Sequence, residues 1–120
     1  MPEPGPWIPD RTEVIWINHS PQYGVEMKSM HPFVVLSPKS FNDKMSLILG
    51  LPMTTAEYNA ENPFAVPAGT ASDGKTSYIL CHQPKSFDWR ARKASLHPMG
   101  RIPEDPFLRA SRILNRILEL

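Results

Sequence analysis

Along this chain the apolar positions come in short packets until the last eighteen residues, where they fall into a stripe. "EVIWIN" (13–18) is dense in β-branched and aromatic residues and predicts a strand. "PFVVLS" (32–37), a continuous apolar run between Pro32 and Pro38, predicts a central strand. "MSLILGLPMTT" (45–55) predicts a second buried strand that ends at Pro52. Between these two, "SPKSFNDK" reads as a turn, at most one helical turn. Further on, the pattern predicts a short strand around residues 64–66, a Gly/Asp-rich turn, a strand at "TSYILCHQ" (76–83) and a short edge strand within residues 92–102. The ending differs. Asp105 is placed to cap a helix and Pro106 to occupy its first position, where a missing N–H costs nothing. Phe107, Ala110, Leu114 and Ile117 then recur at helical spacing, widened by Ile113 and Leu118, while Arg109, Arg112 and Arg116 take another face. Short antiparallel strands with one terminal helix predict a mainly β fold with α: a small, partly closed barrel and a C-terminal helix.

The 120 residues suffice for one domain, expected over residues 11–120 after a Pro-rich, poorly ordered lead-in at 1–10. Fourteen prolines punctuate the chain and exclude long helices over most of it. Residues 20–30 form a loop long enough to be suspected of function. No apolar run approaches a membrane span, the N-terminus has no secretory pattern, and a single cysteine cannot make an internal disulfide, so the expected compartment is the cytoplasm. The net charge of +1 conceals a division. Residues 1–74 carry four Lys and Arg against eight Asp and Glu, and residues 75–120 carry nine against four. A basic C-terminal half suits a polyanion, because a nucleic acid responds to local potential and not to the sum.

The densest cationic stretch is "LCHQPKSFDWRARK" (80–93), where a strand passes into histidine, glutamine and then Lys85, Arg90, Arg92 and Lys93 around Phe87 and Trp89. Lys85, Arg90 and Arg92 are candidate phosphate contacts. Trp89 reads more readily as a core or interface anchor than as a stacking platform, Phe87 as core, and Cys81 as buried. His19 and His97 are expected at the surface. Metal chemistry finds no support: Cys81 and His82 are adjacent, the other histidines are scattered, and no CxxC or HExxH occurs. No phosphate-cradling glycine loop and no nucleophile elbow is present, and no cofactor is implied.

Taken in order, "PDRTEVIWINHSPQYGVE", "HPFVVLSPKSFN" with Asn42, "LPMTT" and "LCHQPKSFDWRARK" resemble the MazF/PemK family of toxin–antitoxin ribonucleases, over roughly residues 9–118. The resemblance implies an SH3-like, CcdB-like barrel acting as a homodimer, held inactive by a cognate antitoxin protein. It also implies a metal-independent endoribonuclease that cuts single-stranded RNA. In such a reaction the ribose 2′-hydroxyl attacks its own phosphodiester and leaves a 2′,3′-cyclic phosphate and a 5′-hydroxyl. That chemistry needs a base, a donor to the phosphorane oxygens and an acid for the leaving oxygen.

The chain departs from the family where this chemistry sits. Glu26 and Pro32 match the pattern, but His31 stands in the place of the arginine, Met27 and Ser29 replace the glutamine and glycine, and His82 replaces an acidic residue. A histidine shuttles protons near neutrality, whereas arginine keeps a permanent charge. His31 and His82 are therefore expected to serve as base and acid, with Thr54 on a phosphate oxygen and Glu26 at a base edge or orienting His31. Lys28, Thr55 and Gln83 join Lys85, Arg90 and Arg92 as substrate-binding candidates. Two other readings fit the same residues: a catalytically degenerate relative that binds RNA or antitoxin, and a CcdB-like gyrase inhibitor.

Overall fold

The computed structural model describes residues 6–19 and 30–120. The elements run β1 (Glu13–Asn18), β2 (Met30–Val35), α1 (Lys39–Met45), β3 (Leu47–Thr54), a 3-10 helix (Glu57–Glu61), β4 (Ala65–Thr70), β5 (Thr76–Leu80), β6 (Lys85–Asp88), β7 (Ser95–Arg101) and α2 (Glu104–Leu118). All pairings are antiparallel. The strand order is β4-β5-β3-β2-β1-β7, with β6 also paired to β3. The sheet curls into a half-barrel closed on one side by α2.

β3 is the hub. One of its edges takes β2 at residues 50–52. The other takes β6 along residues 47–50 and then β5 at residues 53–54. Between them the neighbouring chain turns away, so Pro52 removes no ladder bond on that edge, and β3 runs on to Thr54 instead of ending at the proline. Gly50 sits at this junction for want of room: a Cβ there would stand 2.1 Å from the Val34 carbonyl oxygen and 2.5 Å from Phe33 Cε1.

The two faces of the sheet bury separate apolar clusters, as strand alternation requires. Inside the curl lie Val14, Val34, Leu51, Met53, Val66 and Ile79, with Ile102 before α2 and Ala110 of α2. On the other face lie Ile15, Ile17, Phe33, Val35, Ile48, Phe87 and Trp89. α2 begins at Glu104 with Pro103 extended before it, two residues earlier than the capping pattern predicted. Pro106 still falls among the first residues, whose N–H groups lack intrahelical partners, and Glu104 and Asp105 suit the positive end of the helix dipole.

Residues 6–10 are not a loose lead-in. Trp7 packs edge-on to Trp89 with ring centroids 6.0 Å apart, and the buried Pro9 carbonyl accepts a 2.8 Å hydrogen bond from Asn42 Nδ2. α1 is a real helix where a turn was expected, and it exists to place Asn42. That side chain also donates to the Ser37 carbonyl and accepts from Ser37 Oγ, while the Asn42 backbone carbonyl receives Trp89 Nε1–H at 2.8 Å. Among the described residues, no helix is long and apolar enough to cross a membrane.

Candidate functional site

The half-barrel leaves a seam. β4 and β7 are the outer strands of the sheet order, and they come near each other at one point: a Cβ on Gly69 would lie 3.5 Å from Met99 Cε. Beside it lies a cleft of about 580 Å³ lined by Trp16, His31, Pro32, Met53, Thr54, Thr55, Ser77 and Met99 among others, with Thr70 at the end of β4 and Asp73 from the β4–β5 turn. The Trp16 and His97 rings, both in its lining, meet at 4.4 Å and 38°. The Met99 amide donates to His97 Nδ1 at 3.0 Å, and burial lowers the pKa of that ring. A neutral His97 therefore carries its proton on Nε2. His97 was expected at the surface; alternation along β7 turns it inward instead.

His31 and Thr54 each lie two residues beyond the last β2–β3 pair, Phe33 with Pro52. Both line the cleft, and His31 is exposed there. Thr54 Oγ1 accepts the Ala56 amide at 3.2 Å, closing the turn after β3, and its own hydroxyl proton remains to be donated. Thr55 lines the same cleft.

His31 also belongs to an aromatic group on the outer face of the sheet. It pairs with Ile17 across the β1–β2 ladder, and its ring lies 5.3 Å from His19, edge to face. His19 in turn packs on Phe33 at 5.6 Å and Phe87 at 5.1 Å. Burial, then the neighbouring His31, Lys85 and Arg92, bring its pKa down to about 4, so the ring is neutral through the physiological range. His19 is thus no surface histidine. Two-residue periodicity from Ile15 and Ile17, both core residues of that face, was the signal that could have found it.

Other candidates disperse. His82 is not among the cleft residues; it follows β5, exposed, with its ring 5.8 Å from Phe64 and Gln83 at 3.3 Å. It sits in the turn between β5 and β6, outside the β3–β5 ladder. The expected base and acid, His31 and His82, are thus not both among the residues that line the cleft. Lys85 opposes Gly50 and is exposed on the His19 face. Arg92 lies 4.7 Å above the Phe87 ring and donates to the Asn18 carbonyl at 2.6 Å, at the edge of the same group. Arg90 points elsewhere: it pairs with Asp43 of α1 at 2.8 Å and stacks on Trp89 at 4.2 Å. Trp89 is core, Cys81 is buried with its thiol pKa pushed up to about 11 by burial, and neither offers reactive chemistry. Glu26 and Lys28 lie outside the described residues.

A family model described as PemK-like, MazF-like toxin of type II toxin–antitoxin system matches residues 10–118. The chain belongs to that family. It is 38% identical over 90 residues to the endoribonuclease toxin MazF of Escherichia coli K12, covering 74% of this chain and 77% of that one. It is 27% identical over 96 residues to the endoribonuclease PemK of Escherichia coli, covering 79% and 71%. In structure it resembles MazF in a MazE–MazF crystal from Deinococcus radiodurans, with a TM-score of 0.82, 29% identity and 96% and 99% coverage. Within this MazF-like frame, the motif residues divide by role. Asn42, Ser37 and Trp89 hold the chain together, whereas Thr54, the substituted His31 and Lys85 face solvent around one rim.

Proposed function

We propose that the protein is the toxin of a type II toxin–antitoxin pair and cleaves single-stranded RNA without a metal ion. The observation that carries this reading is the meeting of His31 and Thr54 at one cleft, with Lys85 and Arg92 on the adjoining face. The relatives named above are endoribonucleases, which supports the substrate class.

In this reading the 2′-hydroxyl of one ribose attacks the neighbouring phosphorus, and the bond to the 5′-oxygen breaks. Protonated His31 offers an N–H to the phosphorane and gives its proton to the departing 5′-oxygen. Thr54 donates its hydroxyl proton to a phosphate oxygen. The role of proton acceptor for the 2′-hydroxyl falls to Glu26 among the sequence candidates, since His82 does not line the cleft. Lys85 and Arg92 bind flanking phosphates, and His82 and Gln83 extend the track. A base unstacked from a single strand fits the cleft, where Trp16 supplies a stacking face and the Thr and Ser hydroxyls supply edge contacts. Such a chain acts as a homodimer, and its antitoxin competes with RNA through an acidic and apolar segment matched to the basic face.

The test is cleavage of a long unstructured RNA in excess EDTA. Cut ends should accept phosphate from polynucleotide kinase directly, as 5′-hydroxyls do. His31→Ala should lower the rate about 10²-fold, with little change in melting temperature because the side chain is exposed. Activity lost in EDTA and restored by a divalent ion would overturn the mechanism.

A further inference from the structure

His19 has no place in the reaction just described, yet it is the histidine most firmly built into the fold. Its ring is held on three sides by His31, Phe33 and Phe87, at centroid distances between 5.1 and 5.6 Å. Phe33 and Phe87 themselves meet edge-on at 5.3 Å, so the wall behind His19 is rigid. Its Nε2 is buried and has no hydrogen-bond partner among the described residues. A buried, unsatisfied nitrogen is disfavoured, and a phenyl ring would fill the same space without that cost.

We propose that His19 is the positioning residue for His31: its imidazole, wedged between His31 and the Phe33–Phe87 pair, fixes the His31 ring at the cleft beside Thr54. The inference rests on the reading of His31 as the acid of RNA cleavage. Among the described residues, the charged and titratable groups that act on His19 are His31 from β2, Lys85 from β6 and Arg92 from the turn after β6, while the Asn18 carbonyl of β1 accepts from Arg92. With its pKa pushed down to about 4, the His19 ring is neutral across the working range. Below that range His19 gains a proton beside Lys85 and Arg92, and the adjacent cations repel. His19 thereby gives the site an acid limit that the family arginine could not sense.

Three readouts test this on the full chain. His19→Ala removes the wall and should lower kcat about tenfold or more with KM within twofold, since phosphate-binding Lys85 is untouched. His19→Phe restores the ring without its nitrogens. It should recover most of kcat at pH 7 and, unlike the wild type, keep its activity as pH falls through about 4.5. In NMR titration, the His31 ring proton of the wild type should show an inflection near the His19 pKa of about 4, absent in His19→Phe. Should His19→Ala fail to fold, the acid limb and the inflection in His19→Phe decide the matter. Wild-type kcat in His19→Ala, or an unchanged acid limb in His19→Phe, would overturn the proposal. If the wild type cleaves and His31→Ala does not, either outcome sinks the role of His19 alone. An inactive wild type would instead sink the nuclease reading.

Discussion

The outer core of the sheet has two polar ends, and they are built on opposite terms. At one end Asn42 is fully buried, donates to two carbonyls and accepts from Ser37 Oγ, and its own carbonyl takes Trp89 Nε1–H. At the other end His19 keeps a buried nitrogen without a partner among the described residues, next to His31, Lys85 and Arg92. A polar group with every bond made rigidifies the fold. One left unsatisfied among like charges costs stability, and such costs are retained where chemistry needs them. The contrast separates the residues of one sequence motif family into those that hold the protein together and those that act.

The largest expected effect breaks the satisfied end. Asn42→Ala strands the Pro9 and Ser37 carbonyls and frees Ser37 Oγ, so unfolding in urea should show a loss of about 3 kcal/mol. Cleavage per folded molecule should stay the same. A large fall in kcat at unchanged stability would erase the distinction drawn here.

A smaller effect reports on the strained end. The unfolded chain binds a proton to His19 near pH 6.5, and the folded chain only near 4. Between those values the unfolded state holds more protons, so stability must fall as pH drops from about 6.5 to about 4. Allowing for the partial exposure of the ring, the loss is about 1–2 kcal/mol. His19→Phe should flatten the curve over that window, and an equally steep curve in the variant would place the titration elsewhere.

The smallest effect separates two cations of one motif. Lys85→Ala should weaken RNA binding and reduce the salt slope by about 0.7, the value for one single-strand phosphate contact. Arg90→Ala, which loses only an exposed pair with Asp43, should change stability by about 0.5 kcal/mol or less and leave the salt slope alone. Equal salt slopes for the two variants would mean that the Asp43 pair opens when RNA binds.

Much of this architecture was legible in the residues. β1 and the amphipathic stripe of α2 follow from local apolar spacing, which is set within a few residues. The half-barrel and the family follow from motifs spread over nearly the whole chain. β6 was not legible, because "KSFD" has a strand pattern too short to distinguish from the charged loop around it. Its existence depends on Ile48 and Leu49 lying open along the β3 edge.

The site divides in the same way. Sequence alone determined that a histidine precedes Pro32 and that Thr54 follows an apolar run, for these are facts of identity and local order. It could not determine which histidine His31 would meet. His82 lies in the most basic motif and is the partner that motif suggests, but it falls in the turn after β5, away from the cleft lining. His19 is expected at the surface from its polar stretch, yet the β1–β2 ladder brings it against His31. Charge and motif are properties of the chain, whereas the contact of two rings is a property of the pairing of strands. Only the folded sheet decides it, because one residue of register exchanges the faces of every side chain.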